Sequence, residues 1–183
     1  QRQPGSTIKP LSVYGPSVDA GIINYSTILQ DEPFPDWFGE GKPGPSNAGR
    51  AYLGEVTAAY ALAASLNAPA AHLCDLLTPM KSFEFLTEKL KFTHLNAAAD
   101  SYSLSAMALG GMNGGVTVRE MVSGFQIFGN GGMYHEPYTY YYVTDHDGNV
   151  ILDNRSNDSS RVISSESATI MHKLLRNVIY GNG

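Results

Sequence analysis

Prolines at positions 4 and 10 bracket the segment Gly5-Ser6-Thr7-Ile8-Lys9 and leave it few conformations. Proline has no N–H, so Pro10 fits a helix only near its start, where the first amides lack intrahelical acceptors. The segment is therefore read as a helix start, with Ser6 in the first turn and Lys9 three residues on, on the same face. Unpaired amides and the positive end of the helix dipole favour developing negative charge at Ser6. A hydroxyl becomes a nucleophile when a neighbouring base takes its proton. A lysine is such a base when burial or nearby cations lower its pKa. The Ser-x-x-Lys spacing thus supports serine acyl transfer, although Ser6 taken alone also reads as an ordinary N-cap.

Ser65-Leu66-Asn67, the one Ser-x-Asn of the chain, closes the apolar stretch Val56 to Leu66 and precedes Ala68-Pro69-Ala70. That stretch reads as a buried helix ending in a polar turn. Ser65 is a candidate to pass a proton between Lys9 and a leaving amine, and the Asn67 amide to hold both the lysine and a substrate carbonyl. The same residues also suit the end of a helix before a proline.

Pro-Gly-Ser-Thr-Ile-Lys-Pro, Gly54-Glu55-Val56-Thr57, Ser65-Leu66-Asn67-Ala68-Pro69-Ala70, Ala108-Leu109-Gly110-Gly111, Gly115-Val116-Thr117, Phe128-Gly129-Asn130-Gly131-Gly132 and Val178-Ile179-Tyr180-Gly181 follow one another along the chain. In this order they resemble the transpeptidase domain of penicillin-binding proteins, most closely the high-molecular-mass class A type. Ser-x-x-Lys, a Ser-Asn element and Lys-Thr-Gly are signatures of that superfamily. Here the third is absent, since Lys42 is followed by Pro43-Gly44 and Lys81 by Ser82-Phe83. The resemblance implies an internal fragment of the domain, residues 1–183, with flanking sheet strands before Gln1 and after Gly183. In the family the third motif's strand binds the substrate carboxylate and supplies a second oxyanion N–H, so the isolated chain is expected to be a weak catalyst.

With 12 lysines and arginines against 17 aspartates and glutamates, the net charge of −5 argues against nucleic-acid or anionic-membrane surfaces. No basic cluster alternates with aromatics. Cys74 has no cysteine partner and sits in the apolar run Ala70 to Leu77, as a small core residue. His72, His94, His135, His146 and His172 lack metal-ligand spacing, so no metal or cofactor is expected. No stretch is long and apolar enough to span a bilayer, and no signal peptide is visible. If the resemblance holds, signal and anchor lie upstream of Gln1.

The fold class expected is α+β and mostly helical: the helical part of the penicillin-binding protein and serine β-lactamase-like fold, with a small hairpin. The first helix should run from about Ser6 to Val18, kinked at Gly15-Pro16 and buried through Ile8, Leu11 and Val13. Asp31 to Ser46, dense in proline and glycine, should be a loop pinned by Phe34, Trp37 and Phe38, or else these aromatics border a substrate groove. Further helices are expected over 57–66, 68–77 and 82–90. Thr117 and Glu120 offer a capping box for another, ending at the glycines after Phe128. Tyr138 to Thr144 and Val150 to Asp153 should pair as a hairpin with one face packed. The last helix carries an apolar stripe of Ile170, Met171, Leu174, Leu175, Val178 and Ile179 as a packing surface. Gly110 to Gly115 reads as a flexible connection.

The resemblance implies a peptidoglycan DD-transpeptidase acting on stem peptides ending in D-Ala-D-Ala, on the extracytoplasmic face of the bacterial membrane. Ser6 would be the nucleophile and the target of β-lactams, Lys9 its base, Ser65 the relay and Asn67 the orienting group. Partners would be stem peptides, β-lactam antibiotics and the rest of the parent polypeptide. A carboxypeptidase or serine β-lactamase would share Ser6 and Lys9, and a non-catalytic β-lactam sensor would retain the acylated serine as a signal.

Overall fold

The structure is a computed structural model that describes residues 1–49, 51–155 and 159–181. A continuous helical segment from Gly5 to Asp19 runs through its middle, and it changes hydrogen-bond pattern twice. Gly5–Ile8 is a 3-10 turn, Pro10–Tyr14 is π-helical with the Gly15 N–H donating to the Pro10 carbonyl, and α1 (Gly15–Asp19) completes the segment. The helix therefore adjusts one turn before the expected kink. Proline at position 16 explains why: it has no N–H for the Ser12 carbonyl four residues back. Ser82 Oγ donates to that carbonyl instead, at 2.6 Å. Gly15 makes the close path feasible, since a Cβ there would lie 2.8 Å from the Pro10 oxygen and 3.1 Å from the Phe128 ring.

Ile8, Leu11, Val13 and Tyr14 are completely buried, and the segment is enclosed from Ile8 to Val18 while Ser6 and Thr7 at its start stay exposed. A fully buried Leu or Ile side chain contributes about 1.5–3 kcal/mol relative to exposure. Around it pack α2 (Ala58–Ala63), α3 (Asn67–Leu77), α4 (Pro79–Glu84), a π-helical continuation Phe85–Lys89, α6 (Leu104–Leu109), α7 (Val118–Phe125) and α8 (Ser165–Tyr180), while the short α5 (Ala97–Asp100) lies outside the core cluster. Thr57 caps α2 by accepting from the Tyr60 N–H at 3.1 Å. That helix stops at Ala63, three residues earlier than expected, because Ser65 takes a left-handed φ of 54°. The 79–89 helix starts earlier than expected, at Pro79, where proline suits a first helical position and Thr78 supplies the cap. Thr117 and Glu120 form the capping box of α7, with Glu120 Oε2 accepting from the Thr117 N–H at 2.8 Å.

Among the described residues three two-stranded antiparallel ladders complete the α+β architecture, where one hairpin is expected: β1 (Ile28–Asp31) with β2 (Gly54–Thr57), β3 (Met133–His135) with β6 (Ser159–Arg161), and β4 (Tyr142–Thr144) with β5 (Val150–Asp153). The last is the hairpin read from sequence, but neither face is packed. Tyr142, Val150, Ile151 and Leu152 are all exposed, and the strands lean on local contacts. Arg155 lies 4.5 Å from the Tyr142 ring centroid, and Asp145 Oδ1 accepts the Asp147 and Asn149 N–H groups in the turn.

Two other expectations change. On α8 Met171 and Leu174 of the stripe are buried in the core and Ile170 and Leu175 pack against it, whereas Val178 and Ile179 are exposed. Of the three loop aromatics, Phe34 and Trp37 pack on the body while Phe38 is exposed; Phe34 stacks on His72 at 4.0 Å. No helix among the described residues is long and apolar enough to cross a membrane.

Candidate active site

Ser6 lies in the first turn of the 3-10 segment, exposed, and Lys9 follows as its C-cap with its N–H on the Ser6 carbonyl. Side chains three residues apart eclipse in a 3-10 turn, so both project along one edge of the segment. Lys9 is only 1% exposed. Its Nζ donates to the Ser65 carbonyl at 2.9 Å, the Leu66 carbonyl at 3.0 Å and Asn67 Oδ1 at 2.8 Å. An ammonium has three protons, and each finds an acceptor on this one turn. Burial lowers the Lys9 pKa to about 8, against the pull of those acceptors toward the charged form.

The turn presents two carbonyls to one nitrogen because of Ser65. A left-handed non-glycine residue is uncommon, and it reverses the chain between α2 and α3 within three residues. Ser65 itself is exposed, and the bond to Lys9 runs through its backbone, not its hydroxyl.

Asn67 is held from two sides. Its Nδ2 donates to the Ser46 carbonyl at 2.8 Å while its Oδ1 takes the lysine. Its backbone N–H donates to Asn47 Oδ1 at 2.7 Å, and the Ala68 N–H reaches the same oxygen at 3.4 Å. The N-cap residue of α3 is Leu66, which has no side-chain acceptor, so Asn47 caps the helix from 20 residues away. Asn47 in turn donates to Asp31 Oδ1 at 2.8 Å, and Asp31 Oδ2 accepts from the Leu53 N–H at 2.9 Å. Sequence reasoning missed Asp31 and Asn47. Asp31 ends β1 and Asn47 lies in the connection from β1 to β2, and no local spacing links them to residue 67.

The glycine-rich stretch after α6 is a packing device, in place of the flexible connection expected. A Cβ on Gly110 would lie 2.3 Å from the Gly5 carbonyl oxygen, and one on Gly115 2.5 Å from the Arg2 backbone. Arg2 and Val116 exchange backbone hydrogen bonds at 3.0 and 2.8 Å. The stretch fixes the approach to Ser6. Phe34, Pro35, Asp36, Trp37 and Ser103 to Ser105 line an open groove of about 470 Å³ that none of Ser6, Lys9, Ser65 and Asn67 lines. Phe38 takes no part in it.

An exposed serine one turn before a buried lysine, with that lysine gripped by a Ser-x-Asn turn, is the arrangement of the serine–lysine acyltransferases. Comparison with known proteins agrees. The whole chain, residues 1–183, matches the family described as the penicillin binding protein transpeptidase domain, and it belongs to that family. It is 35% identical over 188 residues to penicillin-binding protein 1A of Clostridium acetobutylicum, covering 100% of this chain and 23% of that protein. The chain thus spans about a quarter of the length of such relatives. A D,D-transpeptidase domain of a peptidoglycan glycosyltransferase from Eggerthella lenta superposes with a TM-score of 0.79 at 18% identity, over 100% of this chain and 49% of that one. Penicillin-binding protein A of M. tuberculosis, solved as an imipenem acyl-enzyme complex, gives 0.77 at 17% identity, over 97% and 43%. At these identities the structures speak for the fold.

Proposed function

We propose that this chain carries the nucleophile, base and relay of a peptidoglycan DD-transpeptidase, as the part of one transpeptidase domain that residues 1–183 make up. The observation that carries the reading is the buried Lys9 ammonium, held by the 65–67 turn one helical turn from an exposed Ser6.

In the resting site three protons meet three acceptors. Loss of one proton from Nζ leaves a lone pair that can accept from Ser6 Oγ. Ser6 Oγ then attacks the penultimate D-alanine carbonyl, its proton passing to Lys9. The oxyanion forms at the first-turn amides, where the helix end favours negative charge. Collapse breaks the C–N bond, and terminal D-alanine leaves with a proton relayed through the Ser65 hydroxyl. An amine of a neighbouring stem peptide attacks the acyl-serine ester, gives its proton back through the same groups, and departs as a new amide while Ser6 is restored. A β-lactam follows the first half, its ring C–N bond opening as Ser6 is acylated. Asn67 orients Lys9 and the substrate carbonyl. Since peptidoglycan lies outside the cell membrane, the site works on the extracytoplasmic face. Lys-Thr-Gly is not among the 183 residues.

The test is intact mass after incubation with a penicillin, on the full-length polypeptide that carries this sequence. One drug-mass adduct is expected, absent from Ser6→Ala and from heat-denatured protein. A folded protein that takes no adduct, or a Ser6→Ala variant that still does, overturns the assignment.

A further inference from the structure

Lys9 owes its geometry to residues that do not touch it. The Ser65 to Asn67 turn is strained at Ser65, and the first amides of α3 get no cap from Leu66. What fixes this turn is a buried polar chain leading away from the site: Asn67 N–H to Asn47 Oδ1, Asn47 Nδ2 to Asp31 Oδ1, and the Leu53 N–H to Asp31 Oδ2. Asp31 is 0% and Asn47 5% exposed. Among the described residues Asp31 has no cationic partner, and a buried carboxylate in that state is costly to keep; a loop side chain serving as a distant helix cap is hard to place. Both lie at the edge of the proposed site.

We propose that Asp31 and Asn47 are positioning residues for Lys9, acting through Asn67: Asp31 sets the orientation of the Asn47 amide, and Asn47 anchors the turn whose carbonyls grip the lysine. This rests on the acyl-transfer reading above for its meaning, though not for its geometry. The donors and acceptors alternate without slack. Asp31 can only accept, so Asn47 must turn its NH₂ toward residue 31 and its oxygen toward Asn67. Reversing the Asn47 amide would set its NH₂ against the Asn67 N–H, two donors face to face.

The alternation supplies a sharp test. Asp31→Asn removes the group that forces the amide orientation, and Asn47→Asp opposes two buried carboxylates. The exchange Asp31→Asn with Asn47→Asp restores every bond. Residue 31 then donates through Nδ2 and accepts from Leu53, while residue 47 accepts from residue 31, Asn67 and Ala68. The negative charge, however, moves one residue closer to Lys9. The other titratable groups on the elements packed around Lys9 are Tyr14, buried near Asp31, Cys74, a buried thiol of α3, His72, stacked on Phe34, the half-buried Tyr60 of α2, and the exposed Asp75, Lys81, Glu84, Glu88 and Lys89.

Two readouts are taken on the full-length polypeptide, with folding followed by thermal melting: the rate of penicillin acylation at Ser6, and the titration midpoint of Lys9 from its ¹³Cε signal, assigned by its loss in Lys9→Ala. Each single variant is expected to slow acylation by about 10- to 100-fold, as for a displaced catalytic group. The exchange should recover most of that rate while the Lys9 midpoint rises by about half a unit to one unit, since the carboxylate has approached. Single variants with the parental rate and midpoint overturn the proposal, as does a folded exchange variant that is no faster than the singles. Should the singles fail to fold, a folded exchange variant with the parental Lys9 midpoint overturns it by itself. A parent protein not acylated at Ser6 defeats the acyl-transfer reading instead, and the Lys9 titration then still decides the positioning role.

Discussion

Lys9 is costly to bury charged and, in its proposed role, useless as a base while fully protonated, and its environment balances the two. Burial sets its pKa at about 8, so the neutral fraction grows as pH rises through that value. Acylation of Ser6 should therefore climb across pH 7 to about 9 and level off above it, as stopped-flow β-lactam kinetics would show; a flat profile there excludes Lys9 as the base. Lys9→Ala should slow acylation by about 10²- to 10⁴-fold with binding of the drug less affected. An unchanged rate would point to another group. Ser6, Lys9, Ser65 and Asn67 were legible because each pair sits within one turn of chain, where spacing fixes geometry. Asn47 and Asp31 were not, for a cap delivered from 20 residues away leaves no periodic trace. Nor does sequence show that Ser65 contributes its carbonyl to Lys9, which depends on its left-handed φ.

Apart from the early stop of α2 at the left-handed Ser65 and the early start at Pro79, local groups set helix ends where the sequence places them. The Thr117–Glu120 box is an example, and Thr117→Ala should cost about 1 kcal/mol, read by urea denaturation. Where a contact between distant segments decides, the reading failed. Gly110 looked like slack and is a close approach to Gly5, at a φ of 77° that a side chain rarely adopts. Gly110→Ala should push the Gly5 backbone, displace the first turn of the nucleophile helix and cut acylation by tenfold or more, while Gly111→Ala, whose Cβ would meet only Ser105 Oγ at 4.0 Å, should be nearly silent. Equal effects of the two would deny the packing role. The π-helical adjustment at Pro10–Tyr14 depends likewise on Ser82, 70 residues from the carbonyl it serves.

For the whole molecule, two buried ionisable groups shape stability against pH in opposite ranges. Burial alone would raise the Glu120 pKa, but hydrogen bonds from His94, Thr117 and Thr93 outweigh it and hold it at about 2. Its contribution is therefore present above the ordinary carboxylate range, near pH 4, and is lost as pH falls toward 2. Lys9 acts at the other end. Its folded pKa lies below the unfolded value of about 10.4, so the unfolded chain binds more protons between pH 8 and 10 and stability rises with pH across that window. Thermal melting should show both slopes, the acidic one reduced in Glu120→Gln and the alkaline one lost in Lys9→Met. The helical dominance and the burial of the first helix were legible from local pattern, and the α+β class from the family resemblance; the central place of that helix was not. The exposed stripe at Val178 and Ile179 was not, since periodicity marks an apolar face without saying what covers it. The β4–β5 hairpin, unpacked on both faces and closed by a turn that its own Asp145 holds together, offers an experimental handle. Foreign sequence spliced between Asp147 and Gly148 meets no core, so a fluorescent reporter grafted there would allow the protein to be followed in living cells with its core undisturbed.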